Sequence, residues 1–324
     1  PEMLDALRPL YQEAKAKAER ESTPENKKGV GISIGIYGCG LDGQDGAEVF
    51  VELTSKGVSV YATWQDHGQG ADMGVLGTAH EGLRPLGIRP DQIKLVLNDT
   101  ATAPNGGPSG GSRSQVVIGN AIKNGCEQLV DAMRKPDGTF RTYEEMVAEN
   151  LPVKYSGKWV AAMNSNCDEN GQGNPFAVYM YGAFMAEVNV NTKNGKTTVE
   201  GFTAMADIGK INNKLVVDGQ MYGGIAQGIG LALSEDFEDI QKHSTMLGAG
   251  IPYAKDIPDK FDIYYFENAR DNGPFGAAGV GELPLTSPHV AVVNAIYNAT
   301  GVRIRHLPAR PEKVLAGLKE LQPA

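Results

Sequence analysis

Residues 176–209 read FAVYMYGAFMAEVNVNTKNGKTTVEGFTAMADIG, and this stretch does most to define the fold. Two runs rich in Val, Phe, Tyr and Thr, residues that favour strands, stand on either side of the segment TKNGK at 192–196. The Asn-Gly pair inside that segment is a strong signal for a tight hairpin turn. The sequence therefore predicts two long antiparallel strands here.

Patterns on both sides of this hairpin indicate further strands and helices. Strand patterns occupy 28–38, 47–64 (itself a hairpin) and 93–99. Helical patterns occupy the first part of 1–28 and then 72–83, 112–135, 223–233, 287–301 and 311–321. In the strongest of these, the apolar face consists of Ile118, Ile122, Cys126, Leu129 and Met133. Because strands and helices mix without a strict βαβ alternation, the predicted fold class is α+β (mixed α/β).

The chain divides by pattern into three units. Residues 1–28 form a helix and a linker, in which the polar run ESTPENKK with Pro24 ends the helix. Residues 29–150 and 151–324 form two subdomains. The chain begins without Met and inside a helical pattern, so we expect a fragment or a processed chain.

Composition excludes several classes of protein. The 324 residues carry a net charge of −9, with a pI near 5.2 and no basic cluster, which argues against a nucleic-acid partner. No apolar run approaches the roughly 20 residues of a membrane helix. The three scattered cysteines match neither a disulfide framework nor an iron–sulfur ligand set. We expect them to be reduced and buried, in a cytoplasmic protein.

The loop Gln65–Gly70 is the first of three glycine-dense loops that precede helices. Its glycines would let the Gln69 amide and the backbone N–H groups approach a ligand closely. The alternative is a tight turn with Asp66 or Asp72 as the helix N-cap.

The second loop, Asn105–Ser114, opens the long helix. A Gly- and Ser-rich loop at a helix N-terminus presents unpaired N–H groups and the positive end of the helix dipole, which suit a phosphate. Arg113 would add a charge-assisted contact to the same anion. The loop is neither a Walker A motif nor a GxGxxG dinucleotide motif. The alternative is an ordinary loop with Ser109 or Ser112 as the N-cap.

The third loop, Gly276–Pro284, contains a single carboxylate, Glu282, beside apolar Val280, Leu283 and Pro284. Apolar surroundings disfavour the charged form of a carboxylate and so raise its pKa toward the range that suits a general base. The alternative is an exposed glutamate after a turn.

Four motifs together resemble a known family. They are HGQGAD at 67–72, PSGGSRSQ at 108–115, DGQMYGGIAQGIG at 218–230 and GVGELPLTSPH at 279–289. From about Lys28 to its end, the chain is similar to the C-terminal part of the molybdopterin-binding domain in the xanthine oxidase and aldehyde oxidoreductase family. It is most similar to the bacterial aldehyde oxidoreductases of sulfate reducers.

The resemblance implies a set of site residues. Glu282 matches the catalytic glutamate and would be the base. The residues that would bind molybdopterin cytosine dinucleotide are His67, Gly68, Gln69, Gly70, Ser109, Gly110, Gly111, Ser112, Arg113, Ser114, Gln115, Gln220, Gly279, Val280 and Gly281. The family's molybdenum is held by pterin sulfurs, so no protein metal ligands are expected.

The resemblance also implies an activity and partners. The activity would be oxidation of an aldehyde to a carboxylic acid with oxygen from water. Electrons would pass to [2Fe-2S] clusters in segments or subunits outside this chain, in a homodimer. Two alternatives stay open: hydroxylation of a purine or other N-heterocycle by the same chemistry, and a non-catalytic dinucleotide-binding subunit. Only the first of these would need Glu282.

Overall fold

Two four-stranded sheets organise the chain. The computed structural model describes residues 1–41 and 43–321. The first sheet has the strand order β1-β6-β7-β8, with β7 and β8 parallel and the other pairs antiparallel. Its strands are β1 (Asn26–Cys39), β6 (Val178–Asn191), β7 (Thr197–Asp207) and β8 (Lys260–Phe266).

The second sheet has the order β4-β3-β2-β5, in which only β3 and β4 are parallel. Its strands are β2 (Gly46–Thr54), β3 (Gly57–Ala62), β4 (Ile93–Leu97) and β5 (Lys154–Val160). The mixture of strand directions confirms the predicted α+β class.

Helices cover both sheets. They are α1 (Glu2–Glu21), α2 (Ala71–Gly82), α3 (Ser114–Met133), α4 (Tyr143–Ala148), α5 (Lys214–Leu233), α6 (Pro288–Thr300) and α7 (Pro311–Glu320). Helices α5 and α6 bury their apolar residues against one face of the first sheet, and α1 packs on its other face. Helices α2 and α3 share a core with the second sheet. In the part of the chain described, no helix is long and apolar enough to span a membrane.

The glycines of β1 permit close packing. A Cβ at Gly31 would overlap the backbone of Ala295 in α6, so only a glycine lets the strand and the helix approach this closely. This contact explains the unusual glycine content of 28–38, where the sequence predicts a strand close to other backbone. The C-cap of α6 is Gly301 in the left-handed conformation, with φ 79°.

The predicted subdivision at residues 28 and 150 does not coincide with sheet membership. Strand β1 comes from the first predicted subdomain but pairs along its whole length with β6 of the second. Strand β5 lies beyond residue 150 but pairs with β2. The chain therefore crosses between the two sheets, and the three-unit division stays a prediction about domains.

The cysteines are free, as expected, but they are not all buried. Cys39 and Cys126 are buried, whereas Cys167 is exposed. Cys167 lies in the polar loop before β6, which the sequence places at the surface, so the expectation that it is buried is wrong.

Candidate functional site

The four motif segments meet around one cleft between the two sheets. Its cavity volume is about 280 Å³. The predicted site residues that line it are His67, Gln69, Ser109, Gly110, Ser112, Arg113, Ser114, Gln115, Gln220, Gly279, Val280, Gly281 and Glu282. Trp64 and Val216 also line it, and no sequence motif marks either residue as part of a site. Segments more than 200 residues apart therefore share one site.

The remaining three predicted residues lie close by. Gly70 lines a smaller adjoining cavity together with Gln69 and Gly279. Gly111 contacts Glu282 through its backbone. Gly68 is exposed in the first loop, and a Cβ at this position would meet nothing within 4 Å.

Asp66 organises the first loop. Its carboxylate accepts hydrogen bonds from the backbone N–H groups of Gly68 (2.7 Å), Gly70 (3.2 Å) and Asp72 (3.1 Å). Burial opposes ionisation of Asp66, but these N–H groups outweigh it and lower its pKa. Gly70, with φ 83°, is the N-cap residue of α2 and provides no side-chain cap. Asp66 is not the N-cap residue, but it satisfies the Asp72 N–H in the first turn of the helix as well as the turn before it.

The amide of Gln69 is used within the same loop. Its Oε1 accepts a hydrogen bond from the His67 N–H, and its Nε2 donates to the Gln65 carbonyl at 2.8 Å. The backbone N–H groups of His67, Gly68 and Gly70 also have partners inside the loop, so the loop is held together by its own hydrogen bonds.

Arg113 is buried and fully hydrogen-bonded. Its Nε and Nη2 donate to the two carboxylate oxygens of Asp45 at 2.7 and 2.6 Å, and Nη2 also reaches the Gly46 carbonyl at 3.1 Å. Its Nη1 donates to the carbonyls of Gly106 (2.7 Å) and Pro108 (2.9 Å). All five N–H groups of the guanidinium thus have partners. The predicted contact with a phosphate would require Arg113 to give up one of them, so the geometry favours a role in holding the loop.

The electrostatics of the pair are those of a buried salt bridge. Burial alone would raise the pKa of Asp45, but the Arg113 guanidinium and the Leu41 N–H hold it below its usual value. Asp45 lies 68 residues from Arg113 in the sequence, and no local motif marks it.

Glu282 lies half-buried on the wall of the cleft. Its Oε1 accepts a hydrogen bond from the Gly111 N–H at 3.0 Å, and its Oε2 accepts one from the Ser112 hydroxyl. The Glu282 N–H in turn donates to Ser112 Oγ at 3.1 Å. The alternative of an ordinary exposed glutamate is therefore wrong, because the side chain is held between two of the predicted loops.

Two groups of β1 respond to Glu282. Burial, assisted by the negative charge of Glu282, raises the pKa of Tyr37 to about 12. Burial raises the pKa of the Cys39 thiol to about 12, and the same carboxylate contributes. Both groups are neutral at physiological pH, so neither places a second negative charge beside Glu282.

The start of α3 is open to the cleft. The helix has Arg113 as its N-cap residue and no side-chain cap, so neither Ser109 nor Ser112 plays that role. Ser114 and Gln115 of its first turn line the cleft. A 20-residue helix therefore presents uncapped backbone N–H groups and its positive dipole end there.

Gln115 links the two halves of the site. Its Oε1 accepts from Asn212 Nδ2 at 2.9 Å, and its Nε2 donates to Thr78 Oγ1 at 3.2 Å. Asn212 precedes α5, whereas Thr78 is in α2. Gln220, the seventh residue of α5, lines the cleft, and its amide has no hydrogen-bond partner among residues 1–41 and 43–321.

The chain belongs to the molybdopterin cofactor-binding domain family, whose model matches residues 6–258. It is 60% identical over 321 residues to the aldehyde oxidoreductase of Megalodesulfovibrio gigas, covering 98% of this chain and 35% of that protein. The solved aldehyde oxidoreductase of Desulfovibrio desulfuricans is 61% identical and superposes with a TM-score of 0.96, over 98% of this chain and 35% of that one.

A more distant relative has the same extent of similarity along this chain. The gamma subunit of the 6-hydroxypseudooxynicotine dehydrogenase complex of Paenarthrobacter nicotinovorans is 27% identical over 97% of this chain and 42% of its own length. The chain thus spans between about a third and two fifths of the length of these relatives. The similarity confirms the family that the four motifs indicate.

Proposed function

We propose that the complete protein containing this chain oxidises aldehydes to carboxylic acids with a molybdenum–molybdopterin cofactor. The observation that carries the proposal is the meeting of the four motif segments around one cleft with Glu282 on its wall. The 60% identity to an aldehyde oxidoreductase over nearly the whole chain favours an aldehyde substrate.

The residues of the cleft fit a bound cofactor. Gly110 lines the cleft, and a Cβ there would meet nothing within 4 Å, so the backbone borders open space. The same holds for Gly68 in the neighbouring loop. At Gly281, a Cβ would come within 3.8 Å of the Gln220 Oε1, which brings this amide to the same wall. Glycine backbone that a ligand can approach closely, together with the unpaired Gln220 amide, is suitable for binding a flat polar ring system such as a pterin.

The phosphate groups of the cofactor would be held by backbone rather than by Arg113. The first turn of α3, with Ser114 and Gln115, offers N–H groups and a favourable dipole. The loop from Ser109 to Ser112 would cover the nucleotide end, in the form of molybdopterin cytosine dinucleotide. His67, Gln69 and Gln220 would contact the pterin side. When bound, the molybdenum centre supplies the two-electron redox chemistry.

Glu282 would act as the general base. Its carboxylate lies at the cleft, and it would take a proton at Oε2 from the water that provides the oxygen atom. Trp64, Val216 and Val280 add apolar surface to the same cleft, and such surface lowers the local dielectric around a bound ligand.

The remaining parts of the proposal concern the whole protein. Electrons would leave through [2Fe-2S] clusters carried by segments or subunits outside this chain, in a cytoplasmic homodimer. That further segments or subunits exist is supported by relatives of which this chain spans only 35% and 42%, one of them a subunit of a complex. The net charge of −9 favours neither nucleic acid nor an anionic membrane surface as a partner.

Analysis of the purified complete protein tests the proposal. Molybdenum, iron and released nucleotide are measured first, and then dye reduction with aldehydes and with purines. Molybdenum together with aldehyde-dependent turnover supports the proposal. Turnover on N-heterocycles alone supports the hydroxylation alternative, and bound dinucleotide without any turnover supports the non-catalytic one.

A further inference from the structure

Ser112 and Glu282 are joined by two hydrogen bonds that run in opposite directions. The Ser112 hydroxyl donates to Glu282 Oε2 and accepts from the Glu282 backbone N–H at 3.1 Å. The neighbouring Gly111 N–H donates to Oε1 at 3.0 Å. Residues 170 positions apart in the sequence therefore form one closed unit in which both carboxylate oxygens have a partner.

The backbone of Ser112 adopts an unfavourable conformation to make these contacts. Its φ is +49°, in the left-handed region that a serine rarely occupies. The third loop passes so close that a Cβ at Gly279 would overlap the Ser112 carbonyl oxygen. The strain and the close approach are compensated by the contacts around Glu282, a pattern typical of functional sites.

The hydroxyl group suits a carboxylate that changes charge. A backbone N–H can only donate, so the Gly111 contact serves Oε1 in either charge state. A serine hydroxyl has one donor and two acceptor sites. It can donate to the ionised Oε2 and, after rotation, accept from a protonated Oε2. The contact can thus persist while Glu282 gains and loses a proton.

We propose that Ser112 is a positioning residue that holds Glu282 at the cleft in both of its charge states. The proposal rests on the proposed function of Glu282 as the base. It also gives the Ser112 hydroxyl a role other than the predicted one, because its proton is directed to Glu282 rather than to a cofactor phosphate.

Two substitutions of Ser112 in the complete enzyme provide the test. Ser112→Ala removes the hydroxyl and keeps the Cβ, whereas Ser112→Gly removes the hydroxyl and also relieves the left-handed strain. Loss of a hydrogen bond to a charged group should reduce kcat by about tenfold to a hundredfold in both variants. KM and the content of molybdenum and nucleotide should not change.

A control variant separates backbone strain from the hydroxyl effect. Asn150, outside the cleft, has a similar φ of +55°. Asn150→Gly relieves strain of the same kind and should leave kcat and KM unchanged. If Ser112→Gly behaves like Asn150→Gly, the positioning role is refuted. A fall of nucleotide content in step with kcat would refute it as well, and would restore the phosphate role.

A double-mutant cycle on unfolding makes the result independent of activity. Ser112→Ala and Glu282→Ala should together raise the unfolding equilibrium constant by less than the product of their separate effects, because they share one contact. Simple multiplication of the two effects would overturn the proposal. Coupling in an enzyme that is loaded with cofactor and still does not oxidise aldehydes would support the contact and refute the proposed function instead.

Discussion

Arg113 and Asp45 form a two-point ion pair whose side chains are only 1% and 4% exposed. Removal of two charges from water is costly, and their attraction repays the cost only when the geometry is good and the remaining N–H groups are satisfied. In this pair, every N–H group of the Arg113 guanidinium has a hydrogen-bond acceptor. The pair ties the loop that precedes α3 to the start of β2, and so fixes one wall of the cleft.

We expect Arg113→Met to reduce the free energy of unfolding by about 3–5 kcal/mol, because it leaves the Asp45 carboxylate buried without its partner. The double variant with Asp45→Leu should recover much of this loss, since no unpaired charge remains. Denaturant unfolding measures both changes. Arg89 and Asp91 form a matched but exposed pair, so Arg89→Met should cost less than about 1 kcal/mol. Equal losses at the two sites would contradict this interpretation.

Stability should also depend on the ionisation of Asp45. Its pKa is lower in the folded chain than in the unfolded one, so the pair contributes its full stability well above the unfolded value of about 3.9. This contribution is lost as the pH falls from there through the folded pKa. Asp45→Asn is expected to flatten the acid part of a plot of unfolding free energy against pH. An unchanged slope below pH 4 would show that other carboxylates dominate acid unfolding.

The elements that the sequence predicts well are those with local signals. The TKNGK turn and the Gly301 C-cap depend on residues within a few positions of one another. Strands β5 and β8 were not predicted, because their place depends on pairing with β2 and β7, far away in the chain. Register and sheet order likewise depend on long-range packing.

The site likewise has features with local sequence signals and features that depend on long-range contacts. The glycine-dense loops could be found as motifs, and their meeting at one cleft followed from the family resemblance. The partners of their charged residues could not be found, because Asp45 and Arg113 are 68 positions apart and Ser112 and Glu282 are 170 apart. From sequence, a guanidinium beside a glycine-rich loop predicts contact with an anion. Only the burial of Arg113 and its five hydrogen bonds within the protein show that it holds the loop instead.

The open space at Gly110 allows a test of cofactor binding without loss of the fold. Gly110→Ala adds a methyl group that meets no protein atom within 4 Å, so the free energy of unfolding should change little. If the cofactor occupies this space, the methyl group displaces it, and the nucleotide and molybdenum content should fall. Gly219→Ala is the matched control, since Gly219 has equally open surroundings but does not line the cleft. Equal cofactor content in the two variants would mean that the cofactor lies elsewhere.

Replacement of Glu282 by Gln tests the assigned base most directly. The amide keeps the size of the side chain and both contacts, since its oxygen can accept from the Gly111 N–H and its NH₂ can donate to the Ser112 hydroxyl. It cannot accept the proton that the reaction releases. General-base assistance increases a rate by about 10²–10⁴-fold, so kcat with an aldehyde should fall by about 10²-fold or more. Molybdenum and nucleotide content should equal those of Glu169→Gln, a control at an exposed loop position. A Glu282→Gln enzyme that retains most of its turnover and its acidic pH limb would show that another group takes the proton.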